Sequence, residues 1–433
     1  MKILIKGGRV IDPSSNLDEV CDILTQDSVV AQVSKGIKTE ADFTIEAADK
    51  IVMPGLIDMH VHLREPGRED KETVASGTRA ALKGGITSVL AMPNTFPAMD
   101  SVEHVRSLKD IIKNSAQAHV LIAGAITRGR SGEELADIAA VKKEGVVAIT
   151  DDGHSVDSDA LMLEALKTAQ AQGVLVICHS EDKKLTNKGV VNLGFTSTRM
   201  GLRGISKESE YKRVQRDIEL AEKAGARVHI AHVSCQESLE LIAAAKKKGI
   251  KVTCETAPHY FSLSEEDVLG FDTFMKMNPP LRSRQDVAAI REGLADGTID
   301  AIASDHAPHT ENEKDIEFER AEFGVVGLET MLAVSVTELV EKGVLTWLEL
   351  ARKLTVNPAR ILGLSKGTLK EGADADLTVV APKEEWLAEK AALVSKSKNC
   401  AFLGRALKGV VEYAICSGRI AYPFKNNSKK KNR

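Results

Sequence analysis

The sequence predicts an α/β fold: a closed (β/α)8 TIM-type barrel flanked by a small β domain assembled from both termini. Three observations point there. Between about Pro54 and Leu362, short apolar strands alternate with amphipathic helices, the pattern of a parallel sheet covered on both faces. The candidate strands number eight, which favours a closed barrel over an open doubly wound sheet. The two ends of the chain share a different texture, short alternating strands with little helix. A chain of 433 residues exceeds a typical single domain but suits one large barrel with an appendage.

The elements can be justified in order. Residues 1–53 carry "KILIKGGRVID", "SVVAQVSKGI" and "FTIEAADKIVMPG", read as the N-terminal part of the small β domain. The barrel, residues 54–362, begins with "PGLIDMHVH" and continues through "GITSVLAMP", "HVLIAGAI", "GVVAIT", "GVLVICHS", "RVHIAHVS", "KVTCETAP" and "DAIASDHAP". Helical stretches such as "KETVASGTRAALKG", "DALMLEALKTAQAQG", "SKESEYKRVQRDIELAEKAG" and "SLELIAAAKKKG" lie between them. No G-x-G-x-x-G opens a helix after a strand, which weakens a dinucleotide-binding alternative. Residues 363–433 resume the β texture in "GTLKEGADADLTVVAP" and "GVVEYAICSGRIAYP", then end in the basic tail "KNNSKKKNR", read as a frayed end.

A net charge of −4 gives no electrostatic sign of nucleic-acid or membrane-surface binding. No apolar run is long enough to span a bilayer and no secretory leader is evident, so the expected location is cytoplasmic. The six cysteines contain no CxxC pair and read as reduced, mostly buried thiols.

The residues with chemistry share one location, the C-terminal end of a candidate strand. His60 and His62 end the first, Asp151 and Asp152 the fourth, His179 the fifth, His232 the sixth and Asp305 the last. In a barrel these ends converge on one rim, where active sites are built. H-x-H on an extended strand sends both imidazoles to one side. Imidazoles and carboxylates without a thiolate suit Zn2+ or a similar divalent ion in an open site. Six donors are too many for one tetrahedral ion and about right for two ions sharing a bridging carboxylate. The reaction class is therefore metal-assisted hydrolysis or its reverse.

From Pro54 to Gly363 the chain resembles the amidohydrolase superfamily, and its motifs are similar to those of the dihydroorotases of the class I bacterial type. "DMHVHLREPG", "MPNT", "TDDG", "ICHSED", "IAHVS", "MNPPLR" and "SDHAPH" occur in family order. The resemblance implies that His60, His62 and Asp305 hold a first zinc ion and that His179 and His232 hold a second. Many relatives bridge the ions with a carboxylated lysine. "VVAITDDGHS" has no lysine, so the bridge falls to Asp152, with Asp151 as the alternative, and the second site is expected to be only partly filled.

The same resemblance implies the substrate pair N-carbamoyl-L-aspartate and dihydroorotate. Arg64 would grip the α-carboxylate as a planar cation, beside donors from Asn94 and His309, while Asn278 would contact the ring amide. Asp305 doubles as the proton carrier, and cyclisation is expected to be favoured in acid. "RAEFGVVGLE" would offer backbone donors and "HTENEKDIEFER" a mobile cover. Glu65 and Glu72 read as solvated or supporting groups, His154 and His259 as plain polar residues. Expected partners are the small-molecule substrate, a second copy in a homodimer, and aspartate carbamoyltransferase. Hydantoinase or allantoinase chemistry, or an inactive scaffold for that transferase, are the alternatives.

Overall fold

The computed structural model describes residues 1–424; the tail from Lys425 lies outside them. The eight barrel strands are Leu56–Val61, Ile86–Ala91, His119–Gly124, Ala148–Ile149, Leu175–Cys178, Val228–Ile230, Val252–Thr256 and Ala301–Ile302, each hydrogen-bonded to the next. Every pairing between them is parallel. A parallel bridge between Val61 and His306, with His62 N donating to His306 O at 2.9 Å, joins the last strand to the first and closes the barrel. The alternation of short apolar runs and helices thus resolves as the predicted (β/α)8 fold.

Each quoted helix forms, and its ends show why. Val74–Lys83 starts at Thr73, which makes a capping box with Ser76, and Arg284–Ala295 starts at Ser283 with Asp286 in the same arrangement. Asp159–Gln172 and Glu208–Ala224 stop at Gly173 and Gly225, both left-handed, whose N–H groups cap the last turns.

Two buried layers follow from strand alternation. Val176, Cys178, Val228, Ile230 and Ile302 pack with the helices, whereas Leu175, Ile177, Ala301 and Ala303 form a separate cluster. The second phase fills the barrel interior and, continued along the chain, carries His179 and Asp305 to the rim. The first strand needs a correction to its phase: its pairing slips between Asp58 and Val61, a bulge-like shift that re-aims the strand end.

The second sheet interleaves both termini. Its order is Arg419–Tyr422, Ala406–Cys416, Leu377–Leu387, Ile51–Pro54, Lys2–Asp12, Leu17–Gln26, Val29–Ser34, with Phe43–Glu46 also paired to Lys2–Asp12. Leu17–Gln26 was not expected as a strand. Its first half, with Asp18 and Glu19, is exposed, and only its second half is buried, so the alternation is muted. Among the described residues no helix is long and apolar enough to cross a membrane.

Candidate metal centre

Four histidines and two carboxylates meet at the C-terminal rim, all buried. His60 Nε2 lies 3.2 Å from Asp152 Oδ1 and 3.7 Å from Asp305 Oδ1; His62 Nε2 lies 3.4 Å from Asp152 Oδ2 and 3.3 Å from Asp305 Oδ1. His179 Nδ1 is 2.8 Å from His232 Nε2 and 3.8 Å from Asp152 Oδ1, and His232 Nε2 is 3.9 Å from the same oxygen. Two donor triplets, His60–His62–Asp305 and His60–Asp152–His232, are each mutually within 4.8 Å. The structure therefore brings together all six residues singled out for the metals.

Adjacent aspartates have separate fates. Asp151 Oδ1 accepts from Ile126 N at 2.9 Å and Thr127 N at 3.1 Å, and its other oxygen takes the Thr127 hydroxyl. Asp151 thus ties two strand ends together and faces away from the histidines. Asp152 faces all four.

The backbone at this rim is held in sparsely populated conformations. Arg64, His232 and Asp305 have φ of 61°, 34° and 47°, in the left-handed region that costs non-glycine residues on the order of 1–3 kcal/mol. Asp58 helps to impose this: its buried Oδ1 accepts from both His60 N and Ser304 N at 3.1 Å, fastening the first strand to the last beside Asp305. Burial pushes the Asp58 carboxyl up to about 6.

The electrostatics of this cluster suit a cation. Burial alone would raise Asp152 and Asp305, but His60 and His62 override it and hold both well below the usual carboxylate range. Burial would lower His60, yet Asp152 and Glu255 raise it well above its ordinary value, while burial takes His232 down to about 4. The buried Nε2 of His60, which faces Asp152 and Asp305, has no hydrogen-bond partner, and His62 Nε2 faces the same two carboxylates, whereas His179 turns Nδ1 rather than its unpaired Nε2 toward Asp152. Unpaired imidazole nitrogens facing ionised carboxylates are the donor set that Zn2+ or a similar ion takes, so the residues fit the metals that the family resemblance implies.

Around this cluster lie two supports, Glu255, which the motifs did not single out, and Asn94, which was expected as a substrate donor and also holds a ligand-type histidine. Glu255 Oε1 accepts from His60 Nδ1 at 2.8 Å, and Asn94 Oδ1 accepts from His62 Nδ1 at 2.8 Å. Glu255 sits inside the apolar run "KVTCETAP", and a buried carboxylate in a barrel strand was the available signal. Asn94 therefore spends its oxygen on His62 and keeps its amide donors. Asn278 points its buried Oδ1 at no partner, and Glu181, whose carboxyl is lowered to about 2 against its burial by His179 and Asn278, lies beside it.

Arg64 is half-buried at the edge of the cluster. Its Nε donates to Pro308 O at 3.2 Å and Nη2 lies 3.4 Å from His309 Nε2. No carboxylate lies within 4.0 Å of its guanidinium among the described residues, so Arg64 is not held in a surface ion pair with a neighbouring acid. His309 is otherwise engaged: Nε2 donates to Phe323 O at 2.8 Å and Nδ1 accepts from Lys71 Nζ at 3.1 Å. Burial lowers it to about 3, so it is neutral. Gly324, at φ 125°, lets "RAEFGVVGLE" approach this ring, since a Cβ there would sit 2.6 Å from the Ala307 side chain.

Three smaller expectations gain detail. Glu72 is fully buried, taking Ser76, Ser395 and Lys396 as donors, and Glu65 caps the helix at Val74 N. "HTENEKDIEFER" is anchored by buried Lys314, which donates to Glu322 O at 2.7 Å, and by Glu313, which pairs with Arg68 and Lys71. His154 pairs with Arg130, while His259 is buried with its Nε2 unpaired.

A parallel barrel with a buried His–Asp cluster at its C-terminal rim is the framework of a metal-dependent hydrolase. The comparisons with known proteins narrow this. A family model described as "Dihydro-orotase-like" matches residues 49–238. Dihydroorotase from Geotalea daltonii is 51% identical over 427 residues, 98% of this chain and 99% of the relative. Dihydroorotase from Pelotomaculum thermopropionicum is 51% identical over 420 residues, 97% and 98% of the two chains. Among solved structures, L-hydantoinase (dihydropyrimidinase) from Arthrobacter aurescens superposes with a TM-score of 0.89 at 26% identity, covering 96% of this chain and 95% of its own. The chain belongs to the dihydroorotase family.

Proposed function

We propose that the chain is a dihydroorotase of the class I bacterial type, with residues 54–362 as the catalytic barrel and residues 1–53 and 363–433 as the flanking β domain. It would interconvert N-carbamoyl-L-aspartate and (S)-dihydroorotate in pyrimidine biosynthesis. The single observation that carries the acidic substrate is Arg64, a buried-edge cation without an acid partner, two residues beyond a metal-ligand histidine.

His60, His62 and Asp305 would hold one zinc ion, His179 and His232 the other, with Asp152 between them. The position of Asp152, one oxygen toward His62 and the other toward His60, His179 and His232, supports the bridge. Ions bound there supply Lewis acidity, polarising a carbonyl and activating water at neutral pH. Arg64 fixes the α-carboxylate in a two-point grip, with the free amide of Asn94 as a second donor. His309 is set by Phe323 and Lys71 to wall the same pocket, and Asn278 faces the ring amide side.

Asp305 starts ionised in both directions. In hydrolysis it takes the proton of the attacking water and delivers it to the departing ring nitrogen; in cyclisation it takes the ureido N–H proton and delivers it to the departing oxygen. The pH dependence of the equilibrium therefore comes from the substrates. Cyclisation converts a dianion into a monoanion and consumes one proton, so acid favours the ring.

The test is a side-by-side assay of dihydroorotate, hydantoin and allantoin, before and after chelation. Turnover of dihydroorotate that disappears on chelation and returns with Zn2+ is expected. Preference for hydantoin or allantoin would overturn the assignment.

A further inference from the structure

A second constellation of metal-type donors lies at the opposite end of the barrel, where the β domain meets its base. His119 begins the third barrel strand, Asp376 precedes the strand Leu377–Leu387, and Cys416 ends Ala406–Cys416. His119 Nε2 lies 3.2 Å from Asp376 Oδ1 and 3.1 Å from Oδ2, and one donor atom from each of the three residues falls within 4.8 Å of the others. Asp376 and Cys416 are buried, while about a third of the His119 side chain reaches solvent. The group is therefore assembled inside and open on one side.

From this arrangement we propose that His119, Asp376 and Cys416 form a metal site for Zn2+ or a similar thiophilic divalent ion, joining the barrel base to the β domain. The donor chemistry is mixed: one imidazole, one carboxylate and one thiol, each from a different segment of the chain. Such N, O and S donors surround zinc at about 2.0–2.3 Å, which places neighbouring donors roughly 3–4 Å apart. The observed separations need only small side-chain shifts to reach that. Three protein ligands leave a fourth position on the exposed side for water or for Ser417 Oγ, which sits 3.4 Å from His119 Nε2.

A competing cation stands next to the site. Lys366 Nζ lies 2.7 Å from Asp376 Oδ2 and 2.7 Å from Asp374 Oδ2. Asp376 Oδ1 also accepts from Ser417 N at 2.8 Å. The carboxylate is thus already oriented, and its charge is shared with an ammonium that can fall back on Asp374. Metal binding would release that ammonium from Asp376 and displace one proton each from Cys416 and His119 to solvent. Removing the ammonium should therefore tighten the site.

Cobalt distinguishes this site from the rim, because the proposed catalytic ligands include no sulfur. The metal-stripped full-length protein is titrated with Co2+ and followed by absorption. A thiolate-to-cobalt charge-transfer band is expected in wild type and in His60→Ala, which disables the rim. The band should be lost in Cys416→Ser and reduced at least tenfold in apparent affinity in His119→Ala, while Lys366→Met should bind severalfold more tightly. Cys416→Ser should keep its circular dichroism spectrum and its dihydroorotase rate within twofold. Absence of the band from wild type, or its survival in Cys416→Ser, would overturn the proposal.

Discussion

The two halves of the rim cluster hold their imidazoles differently. His60 and His62 each give Nδ1 to a fixed acceptor, Glu255 and Asn94, at 2.8 Å, leaving Nε2 aimed at Asp152 and Asp305. His179 and His232 instead face each other at 2.8 Å, and the nearest acid to His179 Nε2 is Glu181 at 3.9 Å, too far for a hydrogen bond. An outer partner fixes the tautomer and ring orientation of a ligating histidine and raises its basicity. The His60 half is therefore prepared before an ion arrives, and the His179 half must be organised by the ion itself. Unequal support should appear as unequal affinity.

The largest effect should come from Asp305, to which the proposed function gives both a place in the prepared half and the proton transfer. Asp305→Asn should lower turnover by about 10³-fold or more in both directions, with the circular dichroism spectrum unchanged. Activity within tenfold of wild type would remove it from the chemistry.

Support for the ligands comes next. Glu255→Ala should weaken the first ion about 10- to 100-fold, measured by competition with a chelator. Glu181→Ala should leave the first ion untouched and change the second by less than tenfold. Equal losses from the two substitutions would break the contrast between the halves.

Arg64→Met tests the substrate side without touching a ligand. KM for dihydroorotate should rise about 10- to 100-fold, the worth of a lost charge-assisted grip, with metal content unchanged by elemental analysis. An unchanged KM would make Arg64 a structural residue.

The smallest effect lies away from the rim and concerns stability. The hydrogen bond to Asp376, aided by Cys416 and opposed by burial, raises His119 to about 10. A raised histidine contributes stability that is complete below its unfolded value, near 6.5, and is lost as pH climbs toward about 10. With chelator present, the denaturation midpoint should fall between pH 7 and pH 10, and His119→Gln should flatten part of that fall. Identical pH profiles for the two proteins would show that the pair contributes nothing.

Much of this was legible in the sequence because barrels repeat. Eight apolar runs separated by helices specify closure, and a polar residue at the end of such a run is carried to the rim by the connection that follows. His179, His232 and Asp305 could be placed in that way without coordinates. What stayed hidden depended on contacts between distant strands. Nothing local separates Asp151 from Asp152; the amides of Ile126 and Thr127, 25 and 24 residues before Asp151, decide it. Glu255 and Asp58 hide inside apolar strands because their partners, His60 and Ser304, come from other strands. Whether Glu72 is solvated or supporting is not written locally, because its donors Ser395 and Lys396 lie more than 300 residues away. The bulge between Asp58 and Val61, which re-aims the HxH pair, has no local signature such as a glycine.

Unequal halves are tested most directly by titrating zinc into metal-stripped Cys416→Ser protein, whose barrel-base cluster lacks its thiol, and resolving the stepwise affinities. One tight ion followed by a second at least tenfold weaker is expected, with His179→Ala abolishing only the weak step and His60→Ala removing the tight one. Two equally tight steps, or loss of the tight step in His179→Ala, would contradict the account.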